Sequence, residues 1–258
     1  MSYAKSVSSI CWSADVEATD MSRVIADKPL PLGTVIKLDQ VFLEKYSKCY
    51  IDSLQDAGYP VFIDRKICEI PDKVMQIAEI YLEHQPFMLN VMAGICSTGR
   101  TECGDEKKID ALKRFADLCR EAGTKSCIVT VLTSKTERMV TWEYTGVSSR
   151  EQVQFYTELA ASMGITDITC SARDIDYIQA TSYKELEVEI NTPGIRLPNT
   201  DRRDQARIMT PYDAFECGSD RLIIGSNLTD GDGDITERLR RNYDRLLAHL
   251  AEHDIIIK

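Results

Sequence analysis

Short apolar runs alternate with longer segments of helical periodicity along the whole 258-residue chain. The runs have the length and the β-branched content of buried strands. They are Ser9–Val16, Thr34–Gln40, Pro60–Ile67, Phe87–Ile95, Ser126–Thr133, Asp167–Ser171, Glu187–Asn191 and Arg221–Ser226. Apolar residues at helical spacing predict helices over Val41–Ala57, Pro71–His84, Lys107–Ala122, Ser149–Met163, Asp176–Glu185 and Asp234–His253. The segments after the first and the seventh strand are shorter and have a less clear pattern.

Strands that alternate with helices indicate parallel pairing through crossover connections. Eight units of about 32 residues match a (β/α)₈ barrel, which typically takes about 250 residues. The structural rival is a doubly wound open sheet, but its dinucleotide motif G-x-G-x-x-G does not follow the first strand. Since no linker rich in Pro, Ser or Gly divides the chain, we expect a single barrel domain over residues 1–258.

The composition and charge of the chain argue against several classes of protein. Hydrophobic residues make up 43% of the chain, which is ample for a large core, and the net charge is −10. That charge argues against a nucleic-acid partner and against an anionic membrane surface. No window approaches 18 apolar residues, and the first residues lack the apolar stretch of a signal peptide. We therefore expect a cytoplasmic protein, for which an anionic small-molecule ligand remains possible where lysines and arginines are concentrated in one cleft.

The nine cysteines point to a reducing compartment. Their odd number and scattered positions do not fit a disulfide framework. No C-x-x-C pair occurs, and the three histidines fall in helix-like segments, so the sequence predicts no zinc site.

Charged residues stand at the ends of three predicted strands, where a barrel of this type places its active site. Asp15 ends the first strand, and Lys37 lies near the end of the second. Asp64 and Lys66 alternate with Arg65 on the third, so they project from one face of the strand. An isolated Asp-x-Lys is most simply a solvated ion pair. Several charged strand ends that meet at one cleft instead favour a functional site.

At these positions the chain resembles the orotidine 5′-monophosphate decarboxylases. The stretch Asp64-Arg-Lys66-Ile-Cys-Glu69-Ile-Pro-Asp-Lys73 is similar to that family's Asp-x-Lys-x-x-Asp-Ile-Pro-Asn-Thr motif. Further segments match in order, and together they cover most of residues 9–250: Val35-Ile36-Lys37, Thr192-Pro193-Gly194-Ile195-Arg196, Asp204-Gln205-Ala206-Arg207-Ile208-Met209-Thr210-Pro211 and Ile223-Ile224-Gly225.

The resemblance implies a (β/α)₈ barrel that works as a homodimer, with shared active sites and with no metal or organic cofactor. Its charged array would comprise Lys37, Asp64 and Lys66, completed by Glu69 from the second subunit. Asp15 would contact the ribose, Ser134 the pyrimidine, and Gln205 would belong to a loop that closes over base and phosphate. The implied substrate-binding positions are Asp15, Lys73, Ser134, Pro193, Gln205, Arg207, Gly225 and Ser226.

The chain departs from the family pattern at several of these positions. Glu69 replaces an aspartate, Lys73 replaces a threonine that would contact ribose across the dimer, and Leu38 and Asp39 stand where a glycine is usual. Ser226 replaces the arginine that would bind phosphate. Serine supplies neither the charge nor the bidentate geometry of arginine. The loop arginines could compensate; they are Arg196, Arg202, Arg203 and Arg207.

The leading hypothesis is a cofactor-independent decarboxylase of orotidine 5′-monophosphate or of a closely related carboxylated nucleotide or nucleoside. A second reading is a divergent member that acts on a modified or non-phosphorylated nucleoside in a specialised pathway. A third is a catalytically silent nucleotide-binding protein. The charged residues Lys37, Asp64 and Lys66 count against the third reading, whereas Glu69 and Ser226 count for it.

Overall fold

Eight parallel strands pair in chain order, and the last of them pairs with the first to close a barrel. The computed structural model describes residues 3–95, 106–180, 187–198 and 209–258. The barrel strands are β2 Ile10–Ser13, β3 Val35–Asp39, β4 Val61–Ile67, β5 Met88–Met92, β6 Lys125–Val129, β7 Asp167–Thr169, β8 Glu189–Thr192 and β9 Arg221–Ile224. The expected (β/α)₈ barrel is thus confirmed.

Helices lie between successive strands and cover the outside of the barrel. They are α1 Ala18–Asp27, α2 Gln40–Lys45, α3 Cys49–Asp56, α4 Pro71–Leu82, α5 Glu106–Glu121, α6 Glu137–Glu143, α7 Ser149–Ser162, α8 Ala172–Ala180, α9 Pro211–Glu216, α10 Ser226–Thr229 and α11 Ile235–Ala251. Two 3₁₀ turns occur at Val7–Ser9 and Ala93–Ile95. Among the described residues, no helix is long and apolar enough to cross a membrane.

Several elements differ from the sequence expectation, among them the short helices α6 and α10, which were not predicted. The helix predicted over Val41–Ala57 is divided into α2 and α3, and the Ser47 hydroxyl accepts a bond from the Cys49 amide at the break. Such local side-chain bonds compete with a continuous helix. Helix α8 begins at Ala172 instead of Asp176, while positions 181–185 of the predicted helix lie outside the described residues. Two short strands, β1 Tyr3–Lys5 and β10 Ile255–Ile257, pair in parallel away from the barrel and were not predicted.

Side chains alternate along each barrel strand, so one set fills the interior and the other packs against the helices. The middle of the interior is a buried apolar layer of Cys11, Val35, Phe62, Met88, Cys127 and Ile223. The residues between these positions join the larger core under the helices, as Trp12, Ile36 and Ile63 do. The apolar layer therefore separates the two ends of the barrel.

A buried network of charged and amide groups fills the amino-terminal end of the barrel. Arg221 Nη1 lies 3.2 Å from Asp167 Oδ1 and donates to Asn191 Oδ1 at 2.7 Å, and Asn191 Nδ2 donates back to Asp167 Oδ1 at 3.0 Å. Lys125 and Arg221 both pair with Glu189, at 2.9 and 3.2 Å. Asp167 and Arg221 are buried, Lys125 and Glu189 are partly exposed, and each of these charges has a partner of opposite sign, which offsets the cost of burying the first two.

Candidate active site

A cavity of about 470 Å³ opens at the carboxyl-terminal end of the strands, beyond the apolar layer. Eight of the sequence-predicted site residues line it: Asp15, Lys37, Asp64, Lys66, Ser134, Pro193, Gly225 and Ser226. The wall also includes residues that the sequence did not single out as site residues, among them Ser13, Phe62, Asn90 and Thr169. The site therefore combines strand ends from all around the barrel, as expected for this fold.

Asp64 lies between two lysines and is bonded to both. Lys37 Nζ donates to Asp64 Oδ2 at 2.5 Å, and Lys66 Nζ lies 2.7 Å from Asp64 Oδ1. Strand register explains the first contact, because Lys37 pairs with Phe62 on the neighbouring strand, two residues before Asp64. Lys37 and Asp64 are buried, whereas the Lys66 side chain is 42% exposed and faces the cavity opening.

Charge pairing fixes the ionisation of this array. Burial would raise the pKa of Asp64, but the neighbouring Lys37 and Lys66 hold that pKa well below its usual range. Burial would likewise lower the pKa of Lys37, but the adjacent Asp64 carboxylate outweighs it and leaves the Lys37 pKa above its ordinary value. At neutral pH Asp64 is consequently ionised and Lys37 is protonated.

Asn90 on β5 also contacts the array and was missed by the sequence analysis. It is 1% exposed, its Nδ2 donates to Asp64 Oδ1 at 2.7 Å, and its Oδ1 accepts the Lys66 backbone N–H at 2.6 Å. The only signal in the sequence was an amide side chain inside the apolar run Phe87–Ile95. Buried amide groups of this kind require hydrogen-bond partners, which the active-site residues supply here.

Asp15 and Ser134 lie on the cavity wall at its exposed rim. Partial burial raises the pKa of Asp15. Lys37 opposes that rise, and the carboxylates of Asp39 and Asp64 add to it. A hydrogen-bond donor such as a sugar hydroxyl would meet an acceptor at Asp15, while the Ser134 hydroxyl offers both a donor and an acceptor.

Arg196 lines the same cavity as Pro193, Gly225 and Ser226. Its backbone is held by a bond from its N–H to the Met209 carbonyl at 2.9 Å, and Nη1 donates to the Ile195 carbonyl at 3.0 Å. Arg196 therefore supplies a permanent positive charge near the position where Ser226 stands in place of the family's arginine.

Four of the predicted site residues do not line the described cavity. Glu69 and Lys73 are exposed, Lys73 Nζ donates to Gln76 at 2.8 Å, and neither residue contributes to the cavity wall of its own barrel. Gln205 and Arg207 lie outside the described residues, as do Arg202 and Arg203. Within the described ranges, no group of three or more His, Cys, Asp or Glu side chains is arranged to hold a metal ion.

Comparison with known proteins relates this geometry to a family. The model of the "Orotidine 5'-phosphate decarboxylase / HUMPS family" matches residues 8–241. An orotidine 5′-phosphate decarboxylase of Pseudoalteromonas translucida is 31% identical over 200 residues, covering 78% of this chain and 81% of the relative. The enzyme of the same name from Aliivibrio fischeri is 29% identical over 206 residues, covering 80% of this chain and 83% of the relative.

Solved structures show the same fold. A crystal structure of orotidine 5′-phosphate decarboxylase from Lactobacillus acidophilus has a TM-score of 0.68 at 21% identity, covering 92% of this chain and 98% of that one. The orotidine 5′-monophosphate decarboxylase from Methanocaldococcus jannaschii, complexed with the inhibitor BMP, has a TM-score of 0.64 at 15% identity, covering 92% and 97%. The extent of the family match, together with relatives that are carboxy-lyases, shows that this chain belongs to the orotidine 5′-phosphate decarboxylase / HUMPS family.

Proposed function

We propose that the protein decarboxylates orotidine 5′-monophosphate, or a closely related carboxylated nucleotide, without a cofactor. The observation that carries this proposal is the Asp64 carboxylate with a lysine ammonium on each of its oxygens, at 2.5 and 2.7 Å, in the wall of the cavity. The cavity volume of about 470 Å³ falls in the range of small-molecule sites. Family membership supports the same reaction class.

The chemistry explains why such an array is useful. Loss of CO₂ from C6 of the orotate ring leaves a carbanion whose electron pair the ring does not delocalise. A fixed ammonium close to C6 stabilises that charge and can then deliver the proton. Lys66 is assigned both tasks because it is exposed to the cavity and tied to Asp64. Asp64, placed beside the substrate carboxylate, would favour its departure by repulsion.

The remaining wall residues are assigned to substrate binding. Asp15 would accept a hydrogen bond from the ribose, and Ser134 would bond the pyrimidine. Arg196 and the Gly225 backbone would meet the phosphate at the far side of the cavity. We assign Gln205, Arg207 and Pro193 to the loop that closes over the ligand, as the family motif implies.

We further propose that two copies of the chain share their active sites. Glu69 and Lys73 are exposed and do not line their own cavity, so they are free to approach the cavity of a second copy. Two hydrophobic side chains on the same end of the barrel, Val41 and Ile70, are 68% and 65% exposed. A second copy that packed against this end of the barrel would cover both side chains.

We place this activity in a reducing compartment such as the cytoplasm. The seven cysteines in the described part of the chain all have free thiols. Burial raises the pKa of Cys11 and of Cys119 to about 12, so these thiols stay protonated and unreactive.

A second candidate substrate is the corresponding non-phosphorylated nucleoside, and Ser226 is the observation that favours it. Ser226 lines the cavity and lacks the bidentate charge that a phosphate group prefers. The two candidates differ in the phosphate group alone, so they predict different rates on the same pair of compounds.

The test is CO₂ release from carboxyl-labelled orotidine 5′-monophosphate and, separately, from labelled orotidine. Faster turnover of the nucleotide supports the leading proposal, and preference for orotidine supports the second candidate. If the protein binds the nucleotide but releases CO₂ from neither compound, the hypothesis of a catalytically silent nucleotide-binding protein is supported instead.

A further inference from the structure

The third barrel strand, β4, departs from regular pairing at the residues of the charged array. Ile63 pairs with Leu89 on β5, and Ile67 pairs with Val91. Three residues of β4, from Asp64 to Lys66, therefore lie opposite Asn90 alone. Within this bulge Lys66 has a φ of 46°, in the left-handed region that residues with a side chain rarely adopt.

Asn90 accepts a hydrogen bond from the Lys66 backbone N–H, which lies within the bulge. The Lys66 N–H donates to Asn90 Oδ1 at 2.6 Å, and that oxygen belongs to a side chain only 1% exposed. A backbone N–H removed from its ladder needs another acceptor, and the amide oxygen of Asn90 provides one. The left-handed conformation of Lys66 is thus held by a hydrogen bond from a neighbouring strand.

The other end of the Asn90 amide bonds the Asp64 carboxylate. Asn90 Nδ2 donates to Asp64 Oδ1 at 2.7 Å, and the same oxygen lies 2.7 Å from Lys66 Nζ. A closed ring results, from the Lys66 backbone through Asn90 and Asp64 to the Lys66 ammonium. Because a backbone N–H donates and an ionised carboxylate accepts, the two partners fix the orientation of the amide.

We propose that Asn90 is a positioning residue that aims the Lys66 ammonium into the cavity. The Lys66 side chain is 42% exposed, so its location depends on its backbone and on Asp64 more than on packing. Asn90 bonds both the Lys66 backbone and the Asp64 carboxylate through its one planar amide group. The inference rests on the proposed function for its kinetic consequence, but its structural content stands without it.

The kinetic test compares Asn90→Ala with Asn191→Ala. Asn191 is an equally buried barrel asparagine whose partners, Asp167 and Arg221, lie at the opposite end of the barrel. Misplacement of a reacting group by about 1 Å reduces a rate by up to about 100-fold. We expect Asn90→Ala to lower kcat by about 10- to 100-fold with little change in KM, and Asn191→Ala to lower the melting temperature without changing kcat of the folded protein.

A conservative variant separates positioning from a loss of packing. In Asn90→Asp, an ionised carboxylate at position 90 cannot donate to Asp64 and repels it, so activity at neutral pH should fall. When the new carboxyl is protonated at lower pH, it offers one donor and one acceptor, as the amide does. Activity relative to wild type should therefore rise as the pH is lowered. A constant ratio across pH, or full kcat in a folded Asn90→Ala, would overturn the proposal.

A structural readout keeps the inference distinct from the proposed function. If the wild-type protein releases CO₂ from neither compound, the proposed function fails while the positioning role is still decided by a crystal structure of Asn90→Ala. We expect Lys66 to leave the left-handed region and its Nζ to move away from Asp64. An unchanged Lys66 backbone and ammonium position in that variant would refute the role of Asn90.

Discussion

Lys37 Nζ donates to Asp64 Oδ2 at 2.5 Å across two adjacent strands, and the two side chains are 10% and 8% exposed. Removal of one partner from a buried ion pair leaves an uncompensated charge, which typically lowers the free energy of unfolding by about 3–5 kcal/mol. We therefore expect this pair to contribute to the free energy of unfolding in addition to its proposed part in the reaction.

The stability that this pair contributes should be confined to a window of pH. The pKa of Asp64 is lowered in the folded protein, so its contribution is present above the ordinary carboxyl pKa of about 4 and is lost as the pH falls through the lowered value. The pKa of Lys37 is raised, so its contribution is present below about 10.4 and is lost as the pH rises through the raised value.

Urea unfolding of wild type and Lys37→Met across this range measures the effect. The difference in unfolding free energy at neutral pH should be smaller than the about 3–5 kcal/mol of a fully unpaired buried charge, because Asp64 keeps Lys66 and Asn90 as partners, and it should shrink at both extremes. The double variant Lys37→Met/Asp64→Leu serves as control and should recover part of the loss, since the one charge it leaves without this partner, on Lys66, is 42% exposed to solvent. A difference that does not vary with pH would contradict the assigned pairing.

Lys66→Ala should abolish decarboxylation while it leaves the fold intact. The Lys66 side chain is 42% exposed, so its removal takes little packing from the core, but it removes the proposed proton donor. CO₂ release and a thermal melt of the same preparation check both statements. Lys113→Ala, at an exposed lysine on α5, is the matched control and should retain full activity. Full activity in Lys66→Ala would remove that residue from the mechanism.

Ser226→Arg should improve turnover of orotidine 5′-monophosphate relative to orotidine. A charge-assisted hydrogen bond contributes about 1.5–3 kcal/mol, so the gain in relative kcat/KM should be about 10- to 100-fold. This gain requires that Arg196, which we assign to the phosphate, leaves room for a second charged contact. If Arg196 or an arginine of the closing loop already satisfies the phosphate fully, Ser226→Arg has no effect or is harmful through like charge. In that case Arg196→Ala, or the corresponding loop variant, should cause the severe loss instead.

Two inactive variants should restore activity when they are mixed and allowed to exchange subunits. If Glu69 acts in the site of a second copy, a mixed dimer of Lys66→Ala and Glu69→Ala contains one intact site. Random exchange then recovers about a quarter of the wild-type rate. Sedimentation velocity of the mixture confirms that dimers are present. No recovery in an exchanging dimer, or a strict monomer that turns over substrate, would refute shared sites.

The barrel and much of its charged site could be predicted from the sequence because the two depend on local patterns. Alternation of apolar and polar positions sets which strand residues face the interior, and this places Lys37 and Asp64 together once the strands are parallel. The resemblance of the motif around Lys66 to a known family added the roles that we propose for the individual residues.

The parts that the sequence did not predict depend on contacts between distant segments. Asn90 joins the site because the bulge in β4 sets three residues against one, and strand periodicity alone does not register such a bulge. The break between α2 and α3 comes from a side-chain bond at Ser47 that competes with a regular helical pattern. The position of Glu69 relative to a second copy depends on association, which the single chain does not determine.

The network of Asp167, Asn191 and Arg221 affects how molecules enter and leave the cavity. Together with the apolar layer above it, this network fills the described barrel interior below the cavity, and the cavity is lined by residues at the carboxyl-terminal ends of the strands. A molecule that enters at the carboxyl-terminal rim must leave by the same route. CO₂ released deep in the cavity therefore either diffuses past the larger product or leaves after that product has dissociated.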